Sequence, residues 1–194
     1  MVCLGSTNNG VVKRPKNEDP WRTGYCYKLI WIDGCQWASR PITMKTICWN
    51  VRGLGSSRAV RRLHYLIKQQ HPQLVFLMET KLDQKRMERV RRRCGFTNGI
   101  DIEAEGSRGR LCLAWKGDID VIIKSNSKWH IDAMVGGENG QDDWRFTGFY
   151  GSPYLKDNNI AWDVLRRLSH ENLHPWLVAG DFNEILFSFE KKDG

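Results

Sequence analysis

The sequence predicts a mixed α/β domain in which helices cover sheet faces. Three observations carry that prediction. Apolar runs of strand length recur along the chain, amphipathic stretches of helical period lie between them, and the two kinds alternate from residue 44 onward. A length of 194 residues suits one domain with a real core, and no internal repeat breaks the order.

Residues 1–43 stand apart. Asn8, Asn9, Gly10, Pro15 and Pro20 punctuate them and no helical or strand period persists, so a poorly ordered leader is expected ahead of a domain over 44–194. Met44 is itself a candidate translation start, because the first clear strand, Lys45 to Trp49, follows it directly. Further strands are expected at Leu74–Met78, Leu111–Trp115, Val121–Ile123 and Trp176–Ala179, each short and several rich in branched or aromatic residues. Ser57 to Gln70 places Val60, Leu63, Leu66 and Ile67 on one stripe with Arg58, Arg61 and Arg62 mainly off it, and Ser57 is a candidate cap. A second helix runs from about Asp83 to Cys94, with Met87, Val90 and Cys94 inward, basic residues elsewhere, and Gly95 placed to end it. Ile160, Val164, Leu165 and Leu168 mark a third, ending before His174-Pro175. Between the second and third helices the chain is strand-rich, and Gly136, Gly137, Asn139 and Gly140 suggest a hairpin turn.

Composition removes several classes. With 41% hydrophobic and 27% charged residues, and no apolar run near the roughly 20 residues that span a bilayer, no membrane segment is expected. The nearest candidate for a secretory signal, Tyr25 to Ile32, is short and interrupted by Lys28, so an intracellular location, the nucleus included, is the expectation. Cysteines at 3, 26, 35, 48, 94 and 112 form no C-x-x-C pair, which fits reduced thiols acting as small apolar side chains rather than zinc ligands. Net charge is +8, and the segment from Arg58 to Arg93 alone holds eleven Lys/Arg against three Asp/Glu. A field so concentrated attracts polyanions, although from charge alone well-solvated helix faces are the simpler account. Arg58, Arg61, Arg62, Arg91, Arg92 and Arg93 are the candidate nucleic-acid contacts.

Polar residues interrupt the apolar strands at informative places. Ile47-Cys48-Trp49 ends in Asn50, Leu74 to Met78 ends in Glu79, and Trp176 to Gly180 ends in Asp181 with Asn183 two residues on. In α/β folds ligands collect outside the carboxyl ends of strands, so these tips are candidates to share one pocket. Hydrolysis of a phosphodiester needs a cation at the phosphate, a positioned water and stabilisation of developing charge. Mg²⁺ takes one or two carboxylates, which Glu79 can supply, while Asp181 is suited to orient or deprotonate the water. The amides of Asn50 and Asn183 are suited to hold the carboxylate and phosphate oxygens. Taken singly, each also fits a plainer role: Asn or Asp as a turn residue, Glu as a surface charge, Tyr150 as a strand-end aromatic, the tryptophans as core.

Four strings appear in one order: Trp49-Asn50-Val51-Arg52-Gly53-Leu54, Met78-Glu79-Thr80-Lys81, Gly148-Phe149-Tyr150 with Pro153, and Gly180-Asp181-Phe182-Asn183-Glu184-Ile185-Leu186. In this the chain resembles the endonuclease/exonuclease/phosphatase superfamily from Met44 to the end. The wording, with Pro175-Trp176-Leu177 leading into the last string, is most similar to plant LINE-type retrotransposon endonucleases. The resemblance implies a two-sheet α/β sandwich of the deoxyribonuclease I-like type and Mg²⁺-dependent nicking of DNA, with Mn²⁺ as a substitute ion. It implies Glu79 as metal ligand with Asn50 beside it, Tyr150 at the scissile phosphate, Asp181 activating water and Asn183 stabilising charge.

Three departures qualify the expectation. The family completes its site with a late Asp and a Ser-Asp-His segment that does not occur before Gly194, so the fold is expected to be incomplete at the C-terminus, with an open sheet edge, and the fragment inactive. Arg52 stands where many abasic-site enzymes carry an acidic residue, which favours the retroelement branch. Gly109 is followed by Arg110 where related elements often have a Gly pair, and a bulky cation there is expected to strain a tight approach. His64, His71, His170 and His174 read as surface or capping residues rather than replacements. Two alternatives stay open: a non-catalytic nucleic-acid-binding remnant using segment 58–93, and a superfamily phosphatase. The sequence leaves the oligomeric state open.

Overall fold

The computed structural model describes residues 2–5, 27–32, 44–103, 110–136, 143–151, 155–170 and 174–183. Its elements are β1 (Val2–Gly5), β2 (Tyr27–Ile32), β3 (Met44–Asn50), α1 (Ser57–Gln70), β4 (Leu74–Met78), α2 (Gln84–Arg93), β5 (Asn98–Ile102), β6 (Leu111–Trp115), β7 (Asp120–Ser127), β8 (His130–Gly136), β9 (Trp144–Tyr150), α3 (Leu155–His170) and β10 (Trp176–Asp181). Two five-stranded sheets form, ordered β1-β10-β9-β8-β7 and β2-β3-β4-β6-β5. Within them only β3 with β4 and β9 with β10 pair in parallel. The expected two-sheet α/β sandwich is the observed architecture.

Strand alternation builds the layers. On β3, β4 and β6, Ile47, Trp49, Val75, Leu77, Cys112 and Ala114 point to one face, where Leu63, Leu66 and Ile67 of α1 and Met87 and Val90 of α2 cover them. The residues between them, Cys48, Leu74, Phe76, Met78, Leu111 and Leu113, point the other way and meet Ile131, Ala133, Val135, Phe146, Tyr150 and Ala179 of the other sheet. The outer face of that second sheet, with Phe149 and Val178, is covered by Ala161 and Leu165 of α3. Four layers result, helix, sheet, sheet, helix, and the central core lies between the sheets. Because β4 is flanked on both faces, it is fully buried and reads as a continuous apolar run.

Several expectations are revised. The segment 1–43 contributes two strands, β1 antiparallel to β10 and β2 antiparallel to β3, at positions where the sequence shows no strand period. Pairing with an existing edge, not amphipathic alternation, specifies them. The cap of α1 is Ser56, whose side chain accepts from the Ala59 N–H; Ser57 is the first helical residue. Asp83 caps α2 by accepting from the Arg86 N–H, and Gly95 follows its end at φ 84°. β8 and β9 pair antiparallel, while Gly137, Asn139 and Gly140 of the expected turn between them lie outside the described residues, as does Gly109. Arg110 carries no positive φ; its carbonyl accepts from the Thr80 N–H and its guanidinium donates to the Leu82 carbonyl, so it braces a loop where strain was expected. Among the described cysteines, Cys48, Cys94 and Cys112 are buried and not in disulfides, and burial pushes the Cys94 thiol up to about 11. Among the described residues no helix is long and apolar enough to cross a membrane.

Candidate active site

The two parallel pairs, one in each sheet, end at the same edge of the sandwich. Asn50 is in register with Met78 on β3 and β4, and Asp181 with Tyr150 on β10 and β9. Beyond Met78 the chain turns sharply, with Glu79 at φ 54° and Lys81 at φ 54°, while Arg52 and Asn183 stand at φ 49° and 51° just past the other two tips. Left-handed backbone at four non-glycine residues is costly, and here all four lie around one point.

Side chains from four strand tips, those of β3, β4, β9 and β10, converge there. Nδ2 of Asn50 donates to Oε1 of Glu79 at 2.7 Å and to Oδ2 of Asp181 at 3.1 Å, so one amide bridges two carboxylates that lie 29 and 131 residues away. The Tyr150 hydroxyl donates to the same Oε1 at 3.0 Å, reaching across from the other sheet. Oδ1 of Asn50 accepts from the Arg52 N–H, which fixes the orientation of the amide. Oδ1 of Asp181 accepts from the Asn183 N–H at 3.2 Å, and Nδ2 of Asn183 donates to the Gly151 carbonyl at 2.6 Å. Burial, reinforced by the Glu79 charge and hydrogen bond, pushes the Tyr150 phenol well above its usual range, with a hydrogen bond from Asn183 opposing. Tyr150 therefore stays a proton-bearing donor throughout the neutral range.

The donor set suits a hard divalent ion. Oε1 of Glu79 is taken by Asn50 and Tyr150, whereas Oε2 faces outward with Lys81 Nζ at 3.8 Å. Among the described residues no group of three His, Cys, Asp or Glu side chains forms a closed cage.

Residues 47–194 match the Endonuclease/Exonuclease/phosphatase family. The chain belongs to that family. No curated protein matches it, and solved structures of the fold resemble it at low identity. The endonuclease domain of TRAS1, a telomere-specific non-LTR retrotransposon, superposes with a TM-score of 0.55 at 13% identity, over 73% of this chain and 60% of that one. An AP endonuclease from Archaeoglobus fulgidus gives 0.58 at 17% identity, over 77% of this chain and 61% of that one. The human Nocturnin catalytic domain with bound sulfate gives 0.56 at 14%, over 81% and 68%. This family member thus spans about three fifths of the length of the first two structures.

Asn50, Glu79, Tyr150, Asp181 and Asn183 lie in one hydrogen-bonded cluster. The arginines do not act as one set. Arg58 and Arg61 are exposed and Arg62 half-buried on α1, whose first turn follows the β3 tip. Arg91 is a correction: it is buried, ion-paired with Asp101 at 3.1 Å, and does not belong to the exposed basic face. Arg92 pairs with Glu88 and Arg93 is exposed, but both sit at the far end of α2, about 15 Å of helix from the Asp83 cap. Two glycines were overlooked. A Cβ at Gly180 would fall on the Phe149 carbonyl, and one at Gly151 on the Phe182 carbonyl, so both are needed for β9 and β10 to close up beside Tyr150 and Asp181. Their signal was present, because each directly adjoins a site residue in the quoted strings. Lys81 was also in a string without an assigned part. No described histidine joins the cluster: His130 lies on the helix-covered face of its sheet, hydrogen-bonded to Ser125 and Ser127.

Proposed function

We propose that the domain carries out Mg²⁺-dependent hydrolysis of DNA phosphodiesters, as a nicking endonuclease of the retroelement branch of its family. The observation that carries this reading is the single Asn50 amide holding Glu79 and Asp181 together across the two sheets. Glu79 would hold the ion through its outward oxygen, and the ion would neutralise the phosphate and polarise its phosphorus. Asp181, kept from rotating by Asn50 and the Asn183 N–H, is suited to orient a water and accept its proton as the water oxygen attacks phosphorus. Tyr150 stays protonated and would turn its O–H from Glu79 Oε1 to a phosphate oxygen, with Asn183 beside it to stabilise developing charge. The leaving oxygen takes up its proton from solvent water, since among the described residues no histidine adjoins the cluster.

The retroelement assignment rests on Asn50-Val51-Arg52-Gly53-Leu54-Gly55 and on Arg52 in place of an acidic residue. DNA is proposed to lie along the site edge, with Arg58 and Arg61 meeting its phosphates.

The test is relaxation of supercoiled plasmid. Nicking that needs Mg²⁺ or Mn²⁺ and disappears in Glu79→Gln is expected. Salt-sensitive plasmid binding without nicking would instead favour a non-catalytic binding remnant, and release of phosphate from monoesters with DNA left intact would favour a phosphatase.

A further inference from the structure

Lys81 has the one Glu79 oxygen that neither Asn50 nor Tyr150 occupies. Its Nζ lies 3.8 Å from Oε2, with the lysine side chain 52% exposed and that of Glu79 21% exposed. Its placement follows from the backbone. The segments after β3 and β4 are tied by hydrogen bonds from Val51 N–H to the Met78 carbonyl at 3.0 Å and from Leu54 N–H to the Thr80 carbonyl at 2.9 Å. Gly53, at φ 108°, presents its bare Cα to the lysine stem: a Cβ there would stand 3.5 Å from Lys81 Cδ. Lys81 itself takes left-handed backbone at φ 54°, and its ammonium stands beside Glu79 while the side chain stays half exposed.

Resting on the metal reading of Glu79 above, we propose that Lys81 is a positioning residue that stands in for the divalent cation. It holds the outward oxygen of Glu79 in place before the ion arrives and gives it up when the ion binds, so it sets the metal affinity of the site. An ammonium and a divalent ion cannot share that oxygen without strong mutual repulsion. An exposed ion pair is weak enough to yield, and a four-carbon stem lets the displaced ammonium turn toward a substrate phosphate.

The experiment is titration of the full chain with Mn²⁺, followed by electron paramagnetic resonance of the free ion. Relative to wild type, Lys81→Met and Lys81→Gln are expected to bind Mn²⁺ about tenfold more tightly, and Lys81→Arg about equally. A gain in affinity is a readout that a damaged fold does not produce. Unchanged or weaker binding in both neutral variants, with Mn²⁺ lost from Glu79→Gln, overturns the stand-in role while leaving Glu79 as ligand. Mn²⁺ bound by Glu79→Gln as well as by wild type, or by none of the proteins, overturns the metal reading on which the proposal rests.

Discussion

The Asn50 amide decides the geometry of the site because its two donors are spent on two carboxylates and its oxygen on the Arg52 backbone. Residue types at strand tips were legible in the sequence because an abrupt polar residue after an apolar run is conspicuous. Partners were not, since Asp181 lies 131 residues from Asn50. His130 shows the same limit. In sequence it is one more histidine; in the fold it is buried, and that burial depresses it from 6.5 to about 4 despite the nearby Asp132 charge. Its folded value lies below the unfolded one, so the unfolded chain binds the extra proton between those limits. Stability is then full above pH 6.5 and lost as pH falls toward 4, by at most roughly 3 kcal/mol. Urea denaturation across that range checks this, with His130→Gln expected to flatten the slope; an equal slope in the variant would place the effect elsewhere.

Elements with their own amphipathic period were readable, and those specified by a neighbour were not. α1 and α2 were placed almost to the residue because their apolar stripes and caps are local. β5 and the two strands in 1–43 lack that pattern and exist through pairing with β6, β10 and β3. Arg91 was misassigned for a related reason. It lies on the basic helix but one side turns inward to Asp101, a partner supplied by β5. The tight junction of β9 and β10 is an element-scale device that positions Tyr150 and Asp181 in register. Gly180→Ala should force the strands apart and destabilise the domain by about 1–3 kcal/mol, with weaker Mn²⁺ binding alongside. Thermal unfolding and metal titration of the one variant test both parts, and an unchanged melting temperature would contradict the close approach.

For the molecule as a whole, the decisive contact is sheet on sheet. Phe76 of β4 meets Phe146 of β9 edge-on at 6.1 Å between ring centres, and a Cβ at Gly148 would stand 2.5 Å from the Phe76 ring. The missing side chain at Gly148 is thus the space that Phe76 fills. Phe76→Ala should leave a cavity between the sheets and cost about 3–5 kcal/mol, read from denaturant midpoints. Because the site takes Asn50 and Glu79 from one sheet and Tyr150 and Asp181 from the other, any folded population of that variant should also bind Mn²⁺ less tightly.

By itself the sequence determined the layer class, the helices, the buried strands β3, β4, β6 and β10 and the chemical kind of residue at their tips, because these follow from periodicity and side-chain chemistry over a few adjacent positions, whereas β8 and β9 were legible only as a strand-rich stretch. Tertiary structure alone decided which tips meet, that 1–43 supplies two strands, that Arg91 is interior, and that Lys81 faces the open oxygen of Glu79. Those outcomes depend on contacts between residues far apart along the chain, where distance in space is set by packing the two sheets and carries no local pattern.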